Sequence, residues 1–202
     1  MKAKNKAVFI DRDGVLNEMV YDPTHGLMDS PRRPEQVALM PGVAAFFTAV
    51  RREGYGIVVV TNQPGLAKGT LTDEELKAVN KRLADLLWAE GAAWDELRFC
   101  PHHPAGAGRE GSSYVRECDC RKPKPGMLLQ AAQEHAIDLG ASWMVGDGIV
   151  DIQAGKAAGC RTILVSRIKI HDLERVMDLG CEPDFIVPDL AGAEKVIRGN
   201  TL

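Results

Sequence analysis

The sequence predicts a three-layer α/β fold, a parallel β-sheet with helices on both faces, and three observations carry that prediction. Short β-rich apolar runs alternate along the chain with longer stretches of helical periodicity. The runs Ala7-Val8-Phe9-Ile10 and Gly56 to Thr61 contain almost no polar interruption, as central strands buried on both faces require. Residues able to do chemistry follow directly after such runs, and parallel sheets bind ligands beyond the carboxyl ends of their strands.

Taken in order, Ala7 to Ile10 is the first strand. Val43 to Glu53 has helical periodicity behind the Pro41-Gly42 breaker and is closed by Gly54. Gly56 to Thr61 is the second strand. Thr72 opens a helix with the capping-box spacing Thr72-x-x-Glu75, which runs to about Glu90 before Gly91. Leu97 to Cys100 is a short third strand, and Pro125 to Ala136 reads as a helix with proline at its first turn. A strand over Trp143 to Gly146, a helix from about Asp151 to Ala158 and a strand over Thr162 to Val165 follow. The tail adds a helix near His171 to Leu179, a strand at Phe185 to Val187 and a last helix. Regular alternation of this kind predicts right-handed βαβ crossovers. Two segments stand outside it: Asn17 to Met40, and Cys100 to Lys124, rich in proline, glycine and serine. Loops of that length within a domain are functional or disordered.

The length of 202 residues predicts one domain over 1–202. Apolar residues at 45 % and charged residues at 26 % exclude a disordered chain. Twenty-five basic against 28 acidic residues leave −3, so no global field recruits nucleic acid or an anionic membrane. The opening MKAKNKAVFIDRDG meets Asp11 before a signal-peptide core could form, and no apolar run approaches the roughly 18 residues of a membrane span. A cytoplasmic monomer with neither nucleic-acid nor membrane partners is the expectation. Five cysteines, an odd number, argue against a disulfide framework. Cys160 and Cys181 stand alone and read as small buried hydrophobes.

The strongest local signal is Asp11-Arg12-Asp13-Gly14-Val15. Asp11 ends a buried strand and Asp13 stands where the chain turns at Gly14, so both carboxylates are expected at the sheet edge, close enough to share a metal ion. Strand two ends in Thr61-Asn62-Gln63, which offers a hydroxyl and amides; Arg121-Lys122-Pro123 precedes the next helix; Gly146-Asp147 ends the fourth strand, with Asp151 four residues on. If the strands are adjacent, a carboxylate pair, a hydroxyl, a cation and another carboxylate surround one crevice.

The order DxDGV…TN…K…GDxxxD resembles the haloacid dehalogenase superfamily of phosphohydrolases from Val8 to about Val165. That resemblance implies a Rossmann-like sheet of the haloacid dehalogenase type, with a small flap insertion over about 17–40. It implies Asp11 as the nucleophile that takes up the phosphoryl group, and Asp13 as the acid that protonates the leaving alcohol and the base that then activates water. Thr61 would hold the phosphoryl oxygens and Lys122 neutralise them. Asp11, Asp13 and Asp147 would bind catalytic Mg²⁺, with Asp151 in support.

The chemistry asks for these residue types independently. Phosphate monoester hydrolysis is among the slowest uncatalysed reactions, and a carboxylate nucleophile divides it into two easier steps. A dianionic ester beside several aspartates is repelled unless Mg²⁺ and Lys122 offset the charge. The negative surroundings should also raise the pKa of Asp13 and keep its proton available.

A second signal is Cys100-Pro101-His102 and, after fifteen intervening residues, Cys118-Asp119-Cys120. A C-x-H pair and a C-x-C pair supply four N/S ligands suited to tetrahedral Zn²⁺, with every position filled by protein, so the site is expected to be structural. His103 is the alternative to His102. The loop ends at Arg121-Lys122, so zinc would hold the catalytic cation in place. A zinc-stapled nucleic-acid module is the competing reading, opposed by the net acidity and the few aromatics of the loop.

The phrases CPHHP…CDCRKPKPGM, DRDGVLN, VVVTNQPGLAKG and MVGD closely resemble one branch of the superfamily, the bacterial heptose bisphosphate phosphatases, whose relatives include histidinol-phosphate phosphatases. This implies removal of the C7 phosphate from a heptose bisphosphate. Substrate contacts are expected from Arg12, Asn17, Tyr21, Asn62, Gln63 and Arg121, the last a planar fork suited to phosphate. Two features depart from the branch: the long insertion DPTHGLMDSPRRPEQ, and Gly148 where a basic residue often follows the metal aspartate. Arg32 or Arg33 of the insertion would have to compensate.

Overall fold

The computed structural model describes residues 5–23, 26–105, 112–166 and 181–200. The strands are β1 (Lys6–Ile10), β2 (Val20–Asp22), β3 (Leu27–Asp29), β4 (Tyr55–Asn62), β5 (Glu96–Cys100), β6 (Trp143–Gly146), β7 (Arg161–Val165) and β8 (Phe185–Val187). The α-helices are α1 (Val43–Arg52), α2 (Gly65–Lys68), α3 (Asp73–Ala89), α4 (Gly126–His135), α5 (Ile149–Ala158) and α6 (Leu190–Gly199).

Six strands form one sheet in the order β5-β4-β1-β6-β7-β8, every neighbouring pair parallel. The register places Ile10 opposite Val59 of β4 and Val145 of β6. The strand order therefore reverses at β1, and the crevice of a parallel sheet opens at such a reversal, beyond the strand ends.

Alternation along the central strands sorts side chains into two cores. Val8, Ile10, Ile57, Val59, Trp143 and Val145 share one core with Phe46 and Phe47 of α1, Leu83 and Leu87 of α3, and Ala193 and Ile197 of α6. Ala7, Phe9, Val58, Val60 and Met144 point the other way, onto Met127, Leu128 and Ala131 of α4 and Ala154 of α5. Helices on both faces of a parallel sheet complete the expected three layers. Each fully buried aliphatic or phenyl side chain stabilises this arrangement by about 1.5–3 kcal/mol.

Within the described residues the expected strands and helices are present, with ends shifted by one or two residues. Both halves of the α3 capping box form: Thr72 Oγ1 accepts from the Glu75 amide at 3.2 Å, and Glu75 Oε2 accepts from the Thr72 amide at 2.8 Å. Helix α5 starts at Ile149, earlier than expected, because the Asp151 carboxylate accepts from the Gly148 amide at 3.0 Å. The segment from Asn17 to Met40 is not without regular structure. It contains the antiparallel hairpin β2–β3, with Tyr21 opposite Met28, and a single 3₁₀ turn at Pro34–Gln36. The helix expected near His171 to Leu179 lies outside the described residues.

Candidate active site

The end of β1 delivers Asp11, whose amide donates to Val145 O at 2.9 Å and so extends the pairing with β6 by one residue. Strand β4, on the other side, ends by delivering Thr61, Asn62 and Gln63. Asp147 follows β6 directly, and Asp151 lies on the first turn of α5. One oxygen from each of Asp11, Asp147 and Asp151 falls within 4.8 Å of the others.

Two glycines make this approach possible. Gly14 turns with φ +83°, and a Cβ there would lie 2.2 Å from Asp147 Oδ2. A Cβ on Gly146 would lie 2.3 Å from that of Asp151.

Lys122 supplies the cation. Its Nζ lies 2.8 Å from Asp11 Oδ1 and 2.6 Å from Asp151 Oδ1, and donates to Val60 O at 2.7 Å. Asp11 Oδ1 also accepts from the Arg12 amide at 2.7 Å, which leaves Oδ2 without a hydrogen bond among the described residues. Burial pushes the carboxyl of Asp11 up to about 7; Lys122 opposes that shift and Asp151 adds to it. Burial, reinforced by Asp151, pushes Asp147 up to about 6. Lys122 is raised despite its burial, because Asp11 and Asp151 favour its charged form.

Asp13 faces different neighbours. Oδ1 accepts from Arg12 Nε and Asn17 Nδ2, each at 3.0 Å. Oδ2 accepts from Arg12 Nη2 at 2.9 Å, Gln63 Nε2 at 2.8 Å and Ser30 Oγ at 2.9 Å. Its side chain is not among the three clustered carboxylates, whose third member is Asp151. The expected rise in its pKa is also corrected. Burial acts in that direction, but the Arg12 guanidinium and the amides of Asn17 and Gln63 outweigh it and hold the carboxyl below its ordinary value.

Most residues expected to contact substrate are committed elsewhere. Arg12 is fully buried between Asp13 and Asn80 of α3, whose Oδ1 accepts from Nη1 at 2.6 Å. Asn17 donates to Asp13 and to Glu18 O, and Gln63 bridges Asp13 and Thr61 Oγ1. Asn62 clasps the Lys122 peptide, accepting from its N–H and donating to its C=O, both at 3.0 Å. These four side chains hold Asp13, Thr61 and the Lys122 peptide. Tyr21, 61 % exposed on the hairpin, and Arg121, whose Nη1 donates to His102 O at 3.4 Å, keep open faces. Ser30 and Asn80 carried no motif, and sequence reasoning missed both.

The second cluster holds Cys100, His102, Cys118 and Cys120. The three sulfurs lie 3.1–3.5 Å apart, and His102 Nδ1 is 3.3 Å from Cys120 Sγ and 3.7 Å from Cys100 Sγ. Bonds of about 2.0–2.3 Å from one ion require ligand atoms at about this spacing, so the four residues fit tetrahedral zinc. Burial, with Arg116 nearby, lowers the His102 pKa and keeps a lone pair available. His103 is not in the cluster; its Nδ1 accepts from the Ala105 amide. Tyr114 packs its ring edge-on to His102 and donates its hydroxyl to Asp73 at the start of α3, at 2.9 Å.

Comparison with known proteins now decides the family. The Pasteurella multocida D-glycero-β-D-manno-heptose-1,7-bisphosphate 7-phosphatase is 35 % identical over 96 % of this chain and 97 % of its own. The Yersinia pestis protein of the same name is 39 % identical over 95 % of each chain. The chain belongs to this haloacid dehalogenase-type phosphatase family. A family profile described as "HAD-hyrolase-like" matches residues 119–193. The crystal structure of the B. bronchiseptica D,D-heptose 1,7-bisphosphate phosphatase, complexed with magnesium and phosphate, superimposes with a TM-score of 0.74. It is 29 % identical, and the match covers 96 % of this chain and 98 % of that one. The named relatives are phosphatases, and the clustered carboxylates beside Lys122 are the candidate site. Among the described residues, no helix is long and apolar enough to cross a membrane.

Proposed function

We propose that this chain hydrolyses the 7-phosphate of D-glycero-β-D-manno-heptose 1,7-bisphosphate, with Asp11 as the nucleophile. The observation that carries the reading is Lys122 Nζ at 2.8 Å from Asp11 Oδ1, beside an Asp11 Oδ2 that has no hydrogen-bond partner among the described residues. The substrate comes from the names of the relatives.

Three clustered carboxylates, Asp151 buried, Asp11 half-buried and Asp147 exposed, stand beside one lysine that pairs with Asp11 and Asp151, so the cluster is short of positive charge and fits a divalent cation. Asp11 and Asp147 would hold Mg²⁺, which would offset the charge of the carboxylates and of the incoming phosphoryl oxygens. Lys122 orients Asp11 and neutralises the same oxygens, while the Thr61 hydroxyl, fixed by Gln63, is free to donate to them. Asp11 Oδ2 attacks phosphorus and the bond to the leaving oxygen breaks; Asp13, held ionised in the empty site, takes up a proton when the negative phosphoryl group enters beside it and gives that proton to the departing alcohol. Asp13 then accepts a proton from the water that attacks the aspartyl phosphate, releasing phosphate and restoring Asp11. Cys100, His102, Cys118 and Cys120 would hold structural Zn²⁺ and fix the chain that leads into Arg121 and Lys122.

The Asp11→Asn protein should keep its fold and its zinc and lose at least about 10³-fold in kcat. Mg²⁺-dependent turnover persisting in that variant removes the nucleophile assignment. Side-by-side kcat/KM values on heptose bisphosphate and histidinol phosphate test the substrate; faster turnover of the second reverses the reading.

A further inference from the structure

Asp13 is held by more donors than its carboxylate has places for. Hydrogen bonds reach it from Arg12 Nε and Asn17 on Oδ1, and from Arg12 Nη2, Gln63 and Ser30 on Oδ2, where a carboxylate offers about four lone-pair sites in all. An oxygen that is to exchange a proton with Asp13 needs one of those sites, so one donor has to give way.

The donors are not equally able to do so. Arg12 is fully buried, and Asn17 and Gln63 are 1 % and 2 % exposed. Asn17 also donates to Glu18 O and Gln63 to Thr61 Oγ1, which holds both amides in their donating orientation. Displacing any of these N–H groups strands a buried donor, which is strongly unfavourable. Ser30 differs. It is half-buried, and its hydroxyl turns about the Cβ–Oγ bond to whichever acceptor stands beside it.

The hairpin braces Ser30 in this position. Ser30 follows β3 directly and precedes the buried Pro31. Its amide donates to Asp29 Oδ1 at 2.8 Å, Asp29 Oδ2 pairs with Arg32 at 2.5 Å, and Arg32 reaches across to Asp22 of β2 at 3.3 Å. At its base the insertion is closed by the Glu18 amide on Ala38 O and the Met40 amide on Leu16 O, both at 2.9 Å. An oxygen that takes a proton from Asp13 Oδ2 must come within hydrogen-bond distance of it, as Ser30 Oγ already is at 2.9 Å, so the two meet as neighbours.

We infer that Ser30 is a further catalytic residue: its hydroxyl turns from Asp13 Oδ2 to the leaving oxygen that takes its place there, so that two donors meet the departing alcohol. The proton on Oδ2 passes to the leaving oxygen as the bond to phosphorus breaks, while Ser30 keeps its own proton and stabilises the charge that develops on that oxygen. The inference rests on the reading of Asp13 as the acid, and adds a second donor that the insertion brings to the same atom.

The test compares wild type, Ser30→Ala, Ser30→Thr and Asp13→Asn on phenyl phosphate and p-nitrophenyl phosphate, with single-turnover release of the phenol as the readout. The p-nitrophenolate ion spreads its charge and leaves without a donor; phenolate does not. Ser30→Ala should lose about tenfold on phenyl phosphate and less than about twofold on p-nitrophenyl phosphate, with KM little changed for both. Asp13→Asn should show the same contrast more steeply, and Ser30→Thr, which keeps the hydroxyl, should recover most of the rate. A wild-type rate of Ser30→Ala on phenyl phosphate, with Asp13→Asn impaired, overturns the role of Ser30 and leaves that of Asp13 standing. Equal losses of Ser30→Ala on both esters, or a threonine variant as slow as the alanine one, also overturn it. Absence of any leaving-group contrast in Asp13→Asn removes the acid and Ser30 together.

Discussion

Lys122 Nζ lies 2.6 Å from Asp151 Oδ1, and both side chains are 1 % exposed. Asp151 thereby holds, from behind, the ammonium that Asp11 meets from the front. Removing one partner of a buried pair leaves an uncompensated charge and costs about 3–5 kcal/mol. Asp151→Asn should fall at the low end of that range, since Lys122 keeps Asp11. The check is a lower urea midpoint with an unchanged m-value; a wild-type midpoint would show that Asp151 carries no structural weight.

Asp11 and Asp147, with pKa values raised to about 7 and about 6, predict the stability of the metal-free protein against pH. The folded state binds more protons than the unfolded one between about pH 4 and 7, so stability falls as pH rises through that window. Asp13, shifted the other way, acts at more acidic pH. The melting temperature without Mg²⁺ should drop from pH 5 to pH 8. Added Mg²⁺ should recover more of it at pH 8, and Asp147→Asn should flatten the slope. A slope that survives in both Asp11→Asn and Asp147→Asn would assign it to other groups.

Gly14→Ala tests the approach of the turn to Asp147. The left-handed conformation costs an alanine about 1–2 kcal/mol, and its Cβ must displace a carboxylate oxygen 2.2 Å away. The variant should fold, require more Mg²⁺ for half-maximal activity and lose kcat. A Mg²⁺ titration identical to wild type would mean that Asp147 tolerates the intrusion.

Asn80→Leu removes the hydrogen bond that α3 gives to Arg12. An unpaired edge of a buried guanidinium should cost about 1–3 kcal/mol, and the loosened grip on Asp13 should lower kcat with little change in KM. Recovery of kcat in Asn80→Gln, but not in Asn80→Leu, would mark a positioning role rather than general damage.

About one zinc per chain should co-purify, as four closed N/S ligands imply. Cys118→Ser should lose zinc, melt earlier and turn over more slowly, since Lys122 follows two residues after Cys120. Zinc-free protein, kept reduced, with full activity and an unchanged melting temperature would refute a structural role.

The parts of this molecule legible in its sequence are those that answer to burial. The central stretches of β1, β4 and β6 are apolar because their alternate residues enter two different cores, and Asp11, Thr61 and Asp147 were found because they stand at the ends of these runs. The hairpin left no such trace: its strands have three residues each, and Tyr21, Leu27 and Met28 are all exposed. Arg12, Asn17, Asn62 and Gln63 look the same in a sequence whether turned to a ligand or to a neighbour, and only the coordinates show the neighbour. Asn80 stands 68 residues from the arginine it holds, a separation that no local motif spans.

Tyr114 lays its ring edge against His102 and reaches Asp73 with its hydroxyl, mooring the cysteine loop to the same helix whose Asn80 grips Arg12. An organism starved of zinc would therefore feel the loss along two routes at once, through Arg121 into Lys122 and down the helix towards Asp13. On the proposed reading, scarcity of one metal would silence both the opening and the closing half of each turnover, without any change at the carboxylates proposed to bind the other.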